Sequence, residues 1–326
     1  MKFLLLRFSS IGDIVLTTPV IRCLKQQFEG AEIHFIVKKQ YADILKHNPY
    51  IDKLWLLDNN MAELISDLKD TKIDFVIDLH KNLRTFNIKR KLKLKAFPFN
   101  KINIEKWLMV NFKINRLPEV HIVDRYMETL RSFQVVNDNA GLDYFIGKED
   151  EKLPEEIRSQ IPDKFISLVI GAQHNTKKMP AEMLAKICSL INHPIIILGG
   201  PSDSSSAKEI ISLSENKNLM NLSGKLSLNQ SAYMVKMSEL VISNDTGLMH
   251  IASAFRKKII SIWGNTIPEL GMYPYLADEK SEIFEVKNLS CRPCSKLGFD
   301  SCPKKHFKCM IEQDVEGIAR LANSFM

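Results

Sequence analysis

The chain of 326 residues has no apolar run near the roughly 20 residues that a bilayer-spanning helix needs. A secretory signal is missing too. The apolar start, Met1 to Leu6, is interrupted by Arg7 and Asp13 and has no small-residue cleavage site, so it reads as a first strand and the chain as cytoplasmic. The Gly-x-Gly-x-x-Gly fingerprint of a dinucleotide site is absent from the first strand-to-helix loop, which holds one glycine, Gly12. No signature of a DNA- or RNA-binding module is present, and nucleic acid is not expected as a partner. Cysteine is scarce, six residues in all, and four of them fall after residue 290. What remains is an ordinary soluble globular composition, 45% hydrophobic and 25% charged.

The length exceeds one typical domain, so two are expected. Strand-like runs at Phe3–Arg7, Glu32–Val37, Lys53–Leu57 and Phe75–Asp78 alternate with helical periods at Ile14–Phe28, Tyr41–His47, Met61–Lys69 and Leu83–Leu94. The second half repeats the pattern, with strands at Phe165–Ile170, Ile195–Leu198, Leu219–Leu222, Leu240–Ser243 and Ile259–Trp263 and helices at Ala181–Ile191, Ser205–Ser214, Asn229–Met237 and Leu248–Phe255. The polar stretch 147–162, with Pro154 and Pro162, reads as a linker. An α/β fold follows: two Rossmann-like parallel-sheet domains, 1–150 and 151–326, facing across a cleft. Function belongs in the loops after strands.

The sequence Ser243-Asn244-Asp245-Thr246-Gly247-Leu248-Met249-His250 joins a buried strand to a helix through a short polar turn. The first N–H groups of such a helix have no intrahelical partner, and the dipole adds positive charge, so an anion binds there readily. Plain helix capping by Asp245 or Thr246 is the competing interpretation. Earlier in the chain, Arg7-Phe8-Ser9-Ser10-Ile11-Gly12-Asp13 offers a carboxylate at a helix start, able to accept a proton from a hydroxyl or merely to stabilise the helix. Thr17-Thr18-Pro19 reads as continuing that helix. In the second half, Lys177 in the loop after Phe165–Ile170 suits a diphosphate as a point charge. Asp203, after Gly199-Gly200-Pro201, is placed to meet a ribose hydroxyl, unless that loop is an ordinary turn.

Taken together, Arg7-x-Ser9-x-x-Gly12-Asp13 with Thr17-Thr18-Pro19, Gly171-Ala172 with Lys177-x-x-Pro180, Leu222-Ser223-Gly224-Lys225-x-Ser227-Leu228, and Asn244-Asp245-Thr246-Gly247-x-x-His250-x-Ala252 resemble glycosyltransferase family 9, the ADP-heptose:lipopolysaccharide heptosyltransferases. The resemblance runs through nearly the whole chain. It implies a GT-B fold and an inverting, metal-independent transfer of heptose from ADP-heptose to the lipopolysaccharide inner core, with no cofactor required. Asp13 is then the general base. Lys177, Asp203, Asp245, Thr246, Gly247, His250, Ala172 and Gln173 hold the donor; Ser9, Ser10, Gly12, His80, Arg84, Lys89 and Arg90 face the acceptor. The chain departs from many relatives at Lys177-Lys178-Met179-Pro180 and at Ala172-Gln173, which leaves open another nucleotide sugar or a non-catalytic nucleotide-sugar-binding protein.

From Lys81 to Arg116 eleven basic residues face one acid, Glu105, which exceeds the net charge of +7 of the whole chain. Such a segment suits phosphates or acidic sugars of a lipid-linked acceptor, and a peripheral site on the inner face of the cytoplasmic membrane. Cys291-x-x-Cys294 followed by Cys302 and Cys309 has the spacing of a structural zinc site, against packed thiols in a reducing compartment. Cys23 and Cys188 read as core residues. The last segment, Glu312–Phe325, reads as an amphipathic helix that packs back on the first domain.

Overall fold

The structure, a computed structural model, describes residues 1–58 and 60–326. Its first sheet is built from β1 (Lys2–Leu6), β2 (Glu32–Lys38), β3 (Lys53–Leu57), β4 (Phe75–Asp78) and β5 (Lys95–Pro98), all parallel, in the order β3-β2-β1-β4-β5. The helices of this part of the chain are α1 (Ile11–Val15), α2 (Thr18–Gln27), α3 (Met61–Asp70), α4 (Leu83–Leu92), α5 (Asn103–Phe112) and α6 (Ile122–Met127). One face of the sheet buries Leu4, Leu6, Ile36 and Val76 against Leu64, Ile65 and Leu68 of α3 and Ile88 of α4.

The second sheet contains β6 (Ile166–Val169), β7 (Ile195–Leu198), β8 (Leu219–Asn221), β9 (Leu240–Asn244), β10 (Lys258–Trp263) and β11 (Glu282–Glu285), again parallel, in the order β11-β10-β9-β6-β7-β8. Around it lie α7 (Glu155–Arg158), α8 (Ala181–Leu190), α9 (Ser204–Leu213), α10 (Leu228–Met237), α11 (Gly247–Ala254), α12 (Lys308–Ile311) and α13 (Val315–Ser324). Alternation along the strands separates two cores. Ile166, Leu168, Ile195, Ile197, Leu240, Ile242 and Ile260 pack on one face, while Phe165, Val169, Ile196, Leu198, Val241 and Ile259 pack on the other. Burial on both faces is why these strands read as unbroken apolar runs.

In each sheet the strand order reverses beside the first strand, between β1 and β4 and between β6 and β9. Such a switch point leaves a crevice at the carboxyl ends of the two strands, which is where open α/β sheets bind ligands. Four of the five loops that sequence reasoning selects, those after β1, β4, β6 and β9, flank these points; the fifth, with Asp203, follows β7.

Several expectations are corrected. The helix expected over Ile14–Phe28 is two helices, because Pro19 lacks an N–H and its ring excludes a continuous turn behind it. Pro19 instead occupies the first turn of α2, and Thr17 Oγ1 and Thr18 Oγ1 donate to the carbonyls of Ile14 (2.7 Å) and Val15 (2.8 Å) that the break exposes. The helix expected at Tyr41–His47 is a 3-10 turn, Lys39–Ile44. Strands β5 and β11 are additions to the expected set; both are partly exposed edge strands, whose sequences lack a buried run.

The chain divides into one unit of Met1–Lys101 with Val120–Phe145, and another of Ile102–Glu119 with Ile146–Met326. Residues 102–119 thus belong with the second unit, not with the first 150 residues: Lys113 Nζ donates to the carbonyls of Cys291 (3.2 Å) and Pro293 (2.7 Å). Ile318, Ala319 and Ala322 of α13 complete the second unit's own core, and Asn323 bonds to Leu190 and Asn192 at the end of α8.

Candidate active site

In the first unit, β1 delivers Arg7 and the chain then turns into α1, whose third residue is Asp13. The Asp13 carboxylate accepts from Ser10 N–H (3.3 Å) and Ser10 Oγ (2.7 Å), the acidic half of a capping box, and pairs with Arg7 Nη2 at 2.5 Å. Asp13 thus stabilises the helix start, and its side chain keeps 20% of its accessible surface. Arg7 is nearly buried and also donates to the carbonyls of Ser9 (2.8 Å) and Leu79 (2.7 Å) and to Tyr126 Oη (3.0 Å). Burial pushes the Asp13 carboxyl up, but the Arg7 charge and the Ser10 hydrogen bonds outweigh it and hold the group below the usual range. Asp13 is consequently an ionised, oriented carboxylate at neutral pH.

His80 follows β4 across the same switch point. Its Nδ1 accepts from Phe8 N–H (3.3 Å) and its ring lies 5.0 Å from that of Phe8, so it braces the Asp13 loop. Burial, then the charges of Arg7 and Lys101, lower its pKa to about 4, and the imidazole is neutral at pH 7. Lys89, expected to face an acceptor, is held by the buried carboxylate of Asp78 at 2.6 Å. Asp78 Oδ1 in turn accepts from the N–H groups of His80 (3.1 Å) and Lys81 (2.7 Å). Arg84 and Arg90 are both exposed on α4, and Arg84 lines an open depression with Lys38, Lys39 and Asp58. Ser9 and Ser10 are half-buried and Gly12 is buried within α1.

In the second unit, β9 ends at Asn244 and α11 begins at Gly247, with Thr246 at its cap position. The cap residue makes no side-chain hydrogen bond to the helix start, and the capping interpretation fails. The first amides of α11 lie at Thr246, Gly247 and Leu248, which are partly accessible between buried neighbours. The Asp245 carboxylate is turned elsewhere: its Oδ2 pairs with Lys177 Nζ and accepts from Thr266 Oγ1 at 2.9 Å. His250 is 2% exposed, so it lies beneath the accessible turn and is not presented on it.

Lys177 ends a short 3-10 turn, Asn175–Lys177, which is fixed from both sides. Thr176 N–H donates to the Phe299 carbonyl (3.0 Å) and Phe299 N–H donates to Thr176 Oγ1 (2.8 Å). The buried Asn244 amide accepts from Met179 N–H (3.3 Å) and donates to the Ile170 carbonyl (3.3 Å), joining the ends of β9 and β6 to this loop. Ala172 is half-buried and Gln173 exposed in the same loop. Asp203 is committed internally: it pairs with Lys178 Nζ (2.7 Å) and accepts from Gly200 N–H (2.9 Å). A Cβ added to Gly171 would lie 2.6 Å from its Oδ2, so the glycine makes room for the carboxylate. Asp203 thus holds the β6 and β7 loops together.

Sequence reasoning misses Thr266 and Arg292, and names Asn244 in its motif without giving it a role. Arg292 lies inside the Cys-x-x-Cys segment and is nearly buried. It donates to the carbonyls of Gly264 (2.6 Å), Val286 (2.7 Å) and Thr266 (2.8 Å) and pairs with Glu285 at 2.8 Å, which fixes the backbone that carries Thr266. The neighbouring cysteines draw attention to metal spacing and away from this arginine. Cys291 Sγ lies 3.8 Å from His306 Nε2. Burial, then Cys291, pushes the Cys294 thiol up to about 11, and burial, then Cys294, pushes Cys309 up to about 12. Among the described residues, no three of Cys291, Cys294, Cys302, Cys309 and His306 have their ligand atoms within 4.8 Å of one another.

The chain is similar to known proteins over most of its length. The sequence profile of glycosyltransferase family 9 (heptosyltransferase) matches residues 61–300. Lipopolysaccharide heptosyltransferase 1 of Campylobacter coli is 28% identical over 296 residues, 82% of this chain and 84% of that protein. Among solved structures, the family 9 glycosyl transferase of Veillonella parvula superposes with a TM-score of 0.79 at 22% identity, covering 99% of this chain and 96% of that one. The Escherichia coli ADP-heptose lps heptosyltransferase II gives a TM-score of 0.74 at 16% identity, covering 100% and 98%. The two parallel sheets with their alternating helices are the GT-B fold. The chain belongs to glycosyltransferase family 9 and is a glycosyltransferase of the heptosyltransferase kind.

Proposed function

We propose that this enzyme transfers heptose from ADP-heptose to an anionic, lipid-linked acceptor of the lipopolysaccharide inner core, with inversion and without a metal in the transfer step. The observation that carries the reading is the pairing of Lys177 with Asp245 at the foot of α11, whose cap residue leaves the first turn without a side-chain acceptor. A diphosphate at the amides of Thr246 and Gly247 gains the dipole of α11 and the Lys177 charge as the leaving group departs. The name of the E. coli relative supports ADP-heptose as the donor.

On the acceptor, Asp13 takes the hydroxyl proton as the new bond forms at the anomeric carbon and the bond to the diphosphate breaks. A carboxylate held below its usual pKa is a weak base, but it is fully ionised. In a displacement through an oxocarbenium-like state the hydroxyl becomes acidic as it bonds, so a weak, well-oriented base suffices. Arg7 holds that orientation.

The reading extends to cytoplasmic work at the inner face of the cytoplasmic membrane, without a nucleic-acid partner. The four C-terminal cysteines have the donor chemistry of a structural zinc site. In this reading a metal held there is structural and takes no part in the transfer.

Calorimetric titration with ADP and UDP tests the donor side. ADP binding that weakens in Lys177→Ala is expected; tight UDP binding with none of ADP would overturn the heptose donor. On the chemical side, Asp13→Asn is expected to leave ADP affinity unchanged and to lower kcat by about 10²–10⁴.

A further inference from the structure

We propose that α5 and the turn following it to Arg116 dock on the surface of an anionic lipid bilayer. The inference rests on the reading of the acceptor as lipid-linked, but it is carried by the helix itself. None of the ten residues of α5 is buried, although Ile104, Trp107, Leu108, Met109, Val110 and Phe112 are apolar. Ile104 is 73%, Trp107 55%, Phe112 58% and the following Ile114 47% exposed. Ile104, Trp107 and Leu108 recur at helical spacing, and the rings of Trp107 and Phe112 meet at 5.1 Å. An isolated helix of this length is marginal in water, and this one gains no core of its own.

The ends of the segment are tied down while its apolar face stays outward. Ile102, before the helix, is buried. At the other end Lys113 Nζ donates to the carbonyls of Val110 (2.8 Å), Cys291 (3.2 Å) and Pro293 (2.7 Å). Charge decides among the surfaces that this face could meet. Lys101, Lys106, Lys113 and Arg116 accompany it against the single acid Glu105. Large apolar side chains beside basic ones are the composition of helices that lie in the headgroup region of anionic membranes. A second copy of the chain would set this positive segment against itself, at an electrostatic cost.

The helix carries its own reporter, since Trp55 and Trp263 are buried and Trp107 is the exposed tryptophan. With vesicles of phosphatidylcholine and phosphatidylglycerol the full-length protein is expected to co-sediment, its tryptophan emission to shift to the blue, and both effects to weaken with salt and with pure phosphatidylcholine. The variants Ile104→Ser and Phe112→Ser, which retain Trp107, are expected to weaken vesicle binding at least about tenfold each. Their circular dichroism and their turnover on a water-soluble, delipidated acceptor are expected to stay unchanged. Three results would overturn the proposal: absence of vesicle binding by the wild type, a lipid-independent dimer that Phe112→Ser dissolves, or loss of turnover on the soluble acceptor. Vesicle binding is read without any transfer, so it stands or falls separately from the choice of donor sugar.

Discussion

Asp13 sits between opposing effects: burial disfavours its charge, while Arg7 and Ser10 restore it. Removing the cation with Arg7→Met leaves the desolvation uncompensated, so the carboxyl pKa rises and the acidic limb of the pH–rate profile moves to higher pH; unchanged pH dependence would remove Arg7 from the tuning of the base. His80 is linked to pH in the same direction as Asp13, here because burial favours the neutral imidazole. Its folded pKa of about 4 lies below the ordinary value of about 6.5, so between these values the unfolded chain binds the extra proton. Stability is therefore expected to fall as pH drops from about 6.5 toward 4, and His80→Gln to flatten that part of a denaturant-midpoint curve against pH. Asp13 and Lys177 stand out in the sequence as charged groups in strand-to-helix loops, although stabilisation of a helix start accounts for Asp13 equally well. Thr266 and Arg292 do not stand out, since a threonine or an arginine far along the chain gives no sign that folding will aim it at Asp245 or at the backbone of Thr266.

At the level of elements, the carboxyl ends of β1, β4, β6 and β9 do most of the positioning, and their loops are fixed by small residues and internal pairs. Gly171 illustrates this: Gly171→Ala sets a methyl against Asp203, which is itself held by Lys178 and Gly200, so the loop must shift. The expected cost is about 1–3 kcal/mol, read as a lower denaturation midpoint, together with weaker ADP binding from the displaced Lys177 loop. A variant as stable as the parent would show that the loop absorbs the change without strain. Interior strands of the second sheet can be read from their apolar runs because both of its faces are covered. The edge strands β5 and β11, and the break before Pro19, escape such reading because edges bury little and a proline near a helix start is compatible with either one helix or two.

For the whole molecule, two parallel sheets and the family are legible from motif order, while the assignment of 102–119 to the second unit is not, because it depends on long-range bonds such as Lys113 to Cys291 and Pro293. Among the described residues no helix is long and apolar enough to cross a membrane. The central claim is that Lys177, Asp245 and α11 of the second unit bind the donor and that Asp13 of the first unit is the base. Its most direct test is mass spectrometry of a truncated inner-core acceptor incubated with ADP-heptose and either the wild-type enzyme or Asp13→Asn. The account predicts that the wild type adds one heptose and that the variant, with ADP affinity intact, does so at least about 10²-fold more slowly. Transfer by the variant at the wild-type rate, or no transfer from ADP-heptose alongside transfer from a UDP-sugar, would contradict it.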